Sequence, residues 1–177
     1  MAYNPYLGDA MWDDIVMTAS LINPAGSPTP PTIDPTDGTL VFVNGVDVTV
    51  TLIYQLPHSW KEGTDISFHI HWKKTTGGAN VPQWQMKYKW TNIGDTEVAF
   101  TSLVSGTESV TNNDIVGKHA LLSFPLITGT GKKLSSVLNV WLQRTGAGDT
   151  FGGTCNLISA DCHIRKDGNG SRQMLIK

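Results

Sequence analysis

Charged side chains are scarce in this chain: Lys, Arg, Asp and Glu make up only 16% of its 177 residues, against roughly a quarter in an average soluble protein. The 13 basic and 15 acidic residues leave a formal net charge of -2. A protein that neutralises nucleic-acid phosphates needs a basic face, which this balance does not supply. The composition therefore predicts that nucleic acid is not a partner.

Basic residues near the start and long apolar runs are also missing. The first 25 residues contain no Lys or Arg, whereas a signal peptide begins with positive charge and continues with an apolar stretch. No run approaches the ~18 apolar residues that a membrane helix requires. We expect neither export by that route nor a membrane partner.

Cysteine is limited to two residues, Cys155 and Cys162, seven positions apart. In one extended strand their Cα atoms would be about 23 Å apart, whereas a disulfide requires less than about 7 Å. The odd spacing also places them on opposite faces of a regular strand. We predict two free thiols, which suits a protein made in the cytosol.

Proline is concentrated before residue 38, where it occurs at positions 5, 24, 28, 30, 31 and 35. Because proline removes amide donors and fixes φ, residues 1–38 cannot be one regular helix or sheet. They are interpreted as an extended N-terminal arm, with a short helix over residues 9–22. Its aromatic residues Tyr3, Tyr6 and Trp12 are predicted to bind a partner, because disordered tails usually lack such anchors.

From residue 39 the apolar residues recur with the period of a strand. Asn44-Gly45 separates strands 40–43 and 46–55 and predicts a hairpin. Strands 65–72 and 83–90 should pair antiparallel, and further strands are expected at 96–104, 119–127, 136–145 and 154–165. No helical period separates them, so residues 39–177 are predicted to form an all-β domain, an eight-stranded antiparallel jelly-roll sandwich. An immunoglobulin-like sandwich would use fewer residues and strands.

His69 and His71 share one face of a predicted strand. Two imidazoles and a carboxylate can hold zinc or iron, as in cupin-type jelly rolls. Here, however, Trp72-Lys73-Lys74 follows the pair, where such a site would have Glu or Gln. A polar strand face is therefore favoured, no metal or cofactor is predicted, and metal binding by His69 and His71 is left open.

Motifs for catalysis are incomplete. Ser159, Asp161 and His163 follow one another along a single strand at ~7 Å spacing, too far apart for a base to activate a nucleophile directly. The segment 129–133 lacks the first glycine and the hydroxyl residue of a phosphate loop. We predict no catalytic residues and no enzyme.

The chain has six tryptophans among its 15 aromatic residues. Trp72, Trp84, Tyr88, Trp90 and Trp141 are predicted to pack mainly in the core, although ring faces of this kind could also stack on sugars. Trp60 lies in the loop 56–63 and is predicted to be free to contact a ligand or partner.

The loop and the strands that follow it carry a resemblance. The residues Leu56-Pro57-His58-Ser59-Trp60-Lys61-Glu62-Gly63-Thr64-Asp65, then Phe68-His69-Ile70-His71-Trp72, Trp84 and Tyr88-Lys89-Trp90, resemble a pattern of small structural proteins of tailed bacteriophages and prophages. The resemblance covers residues 56–92. It implies a virion component with a jelly-roll fold, of the kind that decorates capsids.

On this basis we expect a capsid decoration or cement protein that binds the major capsid protein or other virion proteins, as a homotrimer. It would assemble in the cytoplasm of a bacterial host, and its partner-binding residues would be Tyr3, Tyr6, Trp12 and Trp60. Three alternatives remain open. They are a tail or head-fibre component that contacts host glycans through Trp60 and loop aromatic residues, a cupin-like metal-dependent enzyme that uses His69 and His71, and a free-standing carbohydrate-binding module.

Overall fold

The computed structural model describes residues 11–19, 22, 29–78, 80–108 and 116–170. These residues form strands and connecting turns, without an α-helix in the described ranges. Accordingly, no helix within them has the length and apolar character needed to cross a bilayer. The strands are β1 (Met11–Thr18), β2 (Thr32–Ile33), β3 (Leu40–Phe42), β4 (Val48–Gln55), β5 (Ser67–Lys74), β6 (Trp84–Thr91), β7 (Val104–Ser105), β8 (Thr107–Glu108), β9 (Ala120–Ser123), β10 (Val137–Arg144) and β11 (Cys155–Lys166).

Two antiparallel sheets contain these strands. The larger has the order β2-β3-β11-β5-β9-β8, with β1 also paired to β11, and the smaller has the order β4-β10-β6-β7. Most consecutive strands alternate between the sheets, so that β3, β5, β9 and β11 face β4, β6, β7 and β10. This arrangement is an eight-stranded antiparallel jelly roll, and the predicted fold class is confirmed. Strands β1, β2 and β8 extend the larger sheet.

The core lies between the two sheets and is rich in aromatic rings. Phe42 of the larger sheet meets Trp84 of the smaller with ring centroids 4.8 Å apart, and Tyr54 meets Phe68 at 6.3 Å. The Tyr54 hydroxyl donates a hydrogen bond across the sandwich to the carbonyl of Ala160 at 2.8 Å. Burial of each large apolar side chain contributes about 1.5–3 kcal/mol, so these contacts hold the two sheets together.

The predicted Asn44-Gly45 hairpin is wrong. Gly45 does adopt the positive φ of a turn, at 80°, but β3 pairs with β2 and β11 whereas β4 pairs with β10. The turn therefore carries the chain from one sheet to the other. The predicted pairing of the strands at 65–72 and 83–90 fails in the same way, because β5 and β6 also lie in different sheets. A period of two identifies which face of a strand is buried. That face is buried whether the next strand pairs in the same sheet or crosses to the opposite one, so the period does not distinguish the two connections.

The helix predicted over residues 9–22 is also wrong where it is described. Residues Met11–Thr18 form β1, which pairs antiparallel with β11 along its whole length. Ile15 and Met17 pack against the core, and Trp12 and Val16 alternate with them on the other side. β-branched side chains and an available neighbour in β11 favour the extended chain.

β11 contains a register shift between Leu157 and Ser159. A bulge of this kind adds a residue to one strand and reverses which face the following side chains occupy. As a result Cys155 and Cys162 both belong to the buried core, and the prediction of opposite faces is wrong. Both are free cysteines, as predicted.

Candidate metal centre

The outer face of the larger sheet carries a compact group of histidines around one carboxylate. His69 and His71 alternate with core residues along β5, so both point away from the core, and Asp161 on β11 is the register partner of His69. The Nε2 atoms of the two histidines are 3.1 Å apart. Asp161 Oδ2 lies 3.4 Å from His69 Nε2 and 2.9 Å from His71 Nε2. Three donor atoms therefore converge on one point.

Two further histidines surround these donors. His119, just before β9, places its Nε2 atom 2.6 Å from the Nδ1 atom of His71. The ring of His163 packs edge-on against that of His69, with centroids 4.4 Å apart. His163 itself pairs with Asp14 of β1 at 3.1 Å, so its partner is not the Asp161 that a triad along β11 would use.

Burial and mutual contact change the acidity of this group. The pKa of Asp161 lies below its ordinary value. Burial raises this pKa, but the hydrogen bond from His69 and the charges of the two histidines together lower it by a larger amount. Burial also lowers the pKa of His71, which the Asp161 carboxylate offsets only in part. An ionised carboxylate and neutral imidazoles are the forms that coordinate metals.

Strand β1 extends the same outer face. Trp12 is the register partner of Arg165 and Val16 that of Asp161, and the Arg165 guanidinium lies 5.8 Å from the Trp12 ring. Exposed fractions are 58% for Trp12 and 53% for Val16. These two exposed apolar side chains are called the β1 patch below.

The predicted contact residues have different outcomes. Trp12 is exposed, so it is available to a partner, and its partner-binding role stays a prediction. Tyr3 and Tyr6 lie outside the described residues. Trp60 has no exposed surface, because its loop folds over the end of the sandwich, where its ring lies 5.4 Å from that of Trp90. The prediction of Trp60 as a surface contact is therefore wrong.

Sequence reasoning missed a second group of exposed apolar residues. Most of the strand predicted at 96–104 is not regular, since only Val104–Ser105 forms β7. Residues 92–103 instead make a connection whose exposed apolar side chains are Ile93, Val98, Phe100 and Leu103.

The grouping of Asp161 with His69 and His71 was missed as well. The sequence separates them by about ninety residues, and only the antiparallel pairing of β5 with β11 brings them together. The available signal was that all three residues alternate with core residues along their strands and so lie on outward faces. This becomes informative only once β5 and β11 are known to be neighbours.

No protein-family model matches the chain, and no curated protein does. Several solved structures are similar to it. Latent PorU from Porphyromonas gingivalis is 15% identical, with a TM-score of 0.43, over 94% of this chain and 14% of that one. A family two carbohydrate esterase from Cellvibrio japonicus is 12% identical, with a TM-score of 0.40, over 94% of this chain and 36% of that one.

A family 11 carbohydrate-binding module from Clostridium thermocellum is 12% identical, with a TM-score of 0.35, over 90% of this chain and 92% of that one. This chain thus spans only a small part of the first two proteins. At such low identity these likenesses say nothing about what this chain binds.

Proposed function

We propose that this chain is a non-enzymatic structural protein of a tailed-bacteriophage virion. It would be a capsid decoration or cement protein that stabilises contacts between major capsid subunits. The resemblance over residues 56–92 supports the virion assignment. The observation that carries the binding mode is the β1 patch, in which two large apolar side chains are more than half exposed on the outer face of one strand.

The β1 patch is suited to adhesion because burial of its apolar side chains against a partner is energetically favourable. Each large apolar side chain that is removed from water on a partner contributes about 1.5–3 kcal/mol. β1 is held to β11 by eight register pairs, so the patch is presented on a sheet. Little conformational entropy is then lost on binding, which favours affinity. Repeated on many symmetric copies, such contacts would raise the barrier to rupture of the shell.

The rival functions would need surfaces that are buried in the core of this fold. Contact with host glycans through Trp60 would require a ring that is buried against Trp90. A cupin-like enzyme would bind its metal and substrate inside the sandwich, where Phe68, Ile70 and Trp72 are fully buried. These observations disfavour glycan binding through Trp60 and catalysis inside the sandwich.

Addition of purified protein to particles that lack it tests this function. We expect Trp12→Ala to lower the affinity for particles at least about tenfold, because a large aromatic contact is lost. Ile53→Ala is the matched control, since Ile53 is 59% exposed on the smaller sheet, and we expect it to bind normally. Thermal unfolding should show both variants folded.

Absence of the protein from purified particles, or full binding by Trp12→Ala, would contradict the proposal. Copy number separates two locations, because hundreds per particle indicate the shell and a few dozen indicate the tail. We propose a homotrimer as the binding unit, which light scattering of the purified protein measures directly.

A further inference from the structure

We propose that His69, His71 and Asp161 bind a divalent transition-metal ion, with Zn²⁺ as the best match to their donor atoms. This site lies on the outer face of the larger sheet and goes beyond the adhesive function proposed above. It can be tested on the isolated chain, so its failure would be distinguishable from a failure of particle binding.

The spacing of the three donors fits one metal ion. Zinc binds imidazole nitrogen and carboxylate oxygen at about 2.0–2.2 Å, and two ligands of a regular tetrahedron are then about 3.3–3.5 Å apart. The three separations here are 2.9, 3.1 and 3.4 Å. A small outward adjustment of the His71 ring, whose side chain is 21% exposed, would complete one face of the tetrahedron.

The sheet fixes these donors more firmly than a loop would. His69 and His71 are two positions apart on β5, and Asp161 faces His69 across the ladder that joins β5 to β11. The ladder continues on the other side of β5, where β9 pairs with residues His69 to Trp72. Folding therefore already brings the ligands together. Little further ordering is needed when the metal binds, and this favours metal affinity.

Neighbouring side chains orient the ligands. With Nε2 of His71 directed at the metal, Nδ1–H would donate its hydrogen bond to His119 Nε2, 2.6 Å away. A second hydrogen bond of this type holds the ring and fixes its tautomer in many metal sites. His69 is 3% exposed and is held against the His163 ring. Both histidine ligands are thus supported by another histidine.

The donor set selects the class of metal. Mg²⁺ and Ca²⁺ prefer an all-oxygen environment, whereas two imidazoles and a carboxylate suit Zn²⁺ and its transition-metal neighbours. Three protein ligands leave at least one coordination position open. That position would be filled by water or by a donor from a partner. Bound metal would also cross-link β5 to β11.

Calorimetric titration of the chelator-treated, tag-free full chain with ZnCl₂ tests the site. We expect one ion per chain and a rise in the unfolding temperature. His71→Gln and Asp161→Asn each remove a ligand with little change of shape and should weaken binding at least about 100-fold. His119→Gln leaves the ligands in place and should weaken it about 10–100-fold, as second-layer changes do.

His58→Gln is the matched control, because His58 contacts Ser135 rather than this group; it should bind Zn²⁺ like the unaltered chain. The proposal is overturned if the chain does not bind Zn²⁺, if His71→Gln and Asp161→Asn bind it equally well, or if Mg²⁺ binds as tightly. Should a ligand variant fail to fold, the visible absorption of Co²⁺ added to the unaltered chain decides. A tetrahedral spectrum supports the site, and that of free aqueous Co²⁺ overturns it.

Discussion

Trp60 is an anchor of the core rather than a contact on the surface. Its indole is fully buried and packs against Trp90. The loop is tied down by a hydrogen bond from the backbone N–H of Lys61 to the carbonyl of Arg165 at 2.7 Å. Side chains of this size leave a large cavity when they are truncated. A role in folding is therefore expected for this residue.

We predict that Trp60→Ala lowers the free energy of unfolding by about 3–5 kcal/mol, measured by urea denaturation. Trp12→Ala is the control for loss of the same side chain from an exposed position. It should change that free energy by only about 0.5 kcal/mol. Equal effects of the two substitutions would show that the Trp60 loop does not pack in solution as it does here.

Single residues also show what sequence alone can predict. Alternation along the strand correctly placed Phe68 and Trp72 on the core face of the sheet and the intervening His69 on the opposite face. The burial of Trp60 could not be predicted, because its loop is held by a hydrogen bond from Lys61 to Arg165, a residue about one hundred positions away. Local periodicity describes strands, and it does not describe how a loop is covered.

Among the elements, the turn at Gly129 lies very close to the backbone of another segment. A Cβ atom at Gly129 would lie 1.9 Å from the carbonyl oxygen of Thr64. The backbone N–H of Gly129 donates to the Asp65 carboxylate at 3.0 Å, and Ile66 and Ile127 are bridged by reciprocal backbone hydrogen bonds nearby. The glycine therefore serves this packing rather than phosphate binding.

Gly129→Ala should lower the free energy of unfolding by about 1–3 kcal/mol, since overpacking forces the backbone to shift. Gly152→Ala serves as the control, because an added Cβ at Gly152 meets nothing within 4 Å, and we expect it to be close to neutral. Thermal unfolding of both variants measures the difference. A neutral Gly129→Ala would mean that the two segments lie further apart than in this structure.

The elements were predicted better than their connections. The eight strands of the jelly roll were expected near their observed places, although β7 proved much shorter. Asn44-Gly45 was expected to join neighbours in one sheet, but the turn crosses between sheets, and β1 was mistaken for a helix. Both errors have one cause. Several neighbouring elements could bury the same apolar face equally well, and the sequence alone does not identify which of them does.

At the scale of the whole molecule, the candidate metal site depends on how the sheets are assembled. The sequence showed two histidines on one face, and it separately showed Asp161 on another strand. Their convergence needed the register of β5 against β11, including the bulge that turns Asp161 to the outer face. Sites built across strands are in general harder to predict than motifs within one segment, because strand order is a non-local property.

The two sheets are also joined by a buried arginine. Arg144 ends β10 of the smaller sheet, and its Nη1 donates to the Phe42 carbonyl of the larger sheet at 2.8 Å. Nη1 and Nη2 also donate to the carbonyls of Gly153 and Phe151 at 2.8 Å. Nε lies 2.7 Å from Asp149 Oδ2, and neither side chain of this ion pair is exposed.

Arg144→Lys should therefore lower the free energy of unfolding by about 3–5 kcal/mol, because an ammonium cannot reach all four acceptors and leaves a buried carboxylate poorly paired. Lys73→Met is the control: it removes the partly exposed Lys73–Asp37 ion pair and should cost at most about 1 kcal/mol. Urea denaturation compares the two. Adding Asp149→Asn to Arg144→Lys should restore part of the loss, since the unpaired charge is then removed. If the double variant is less stable by the full sum of the two single changes, Arg144 and Asp149 are not energetically coupled.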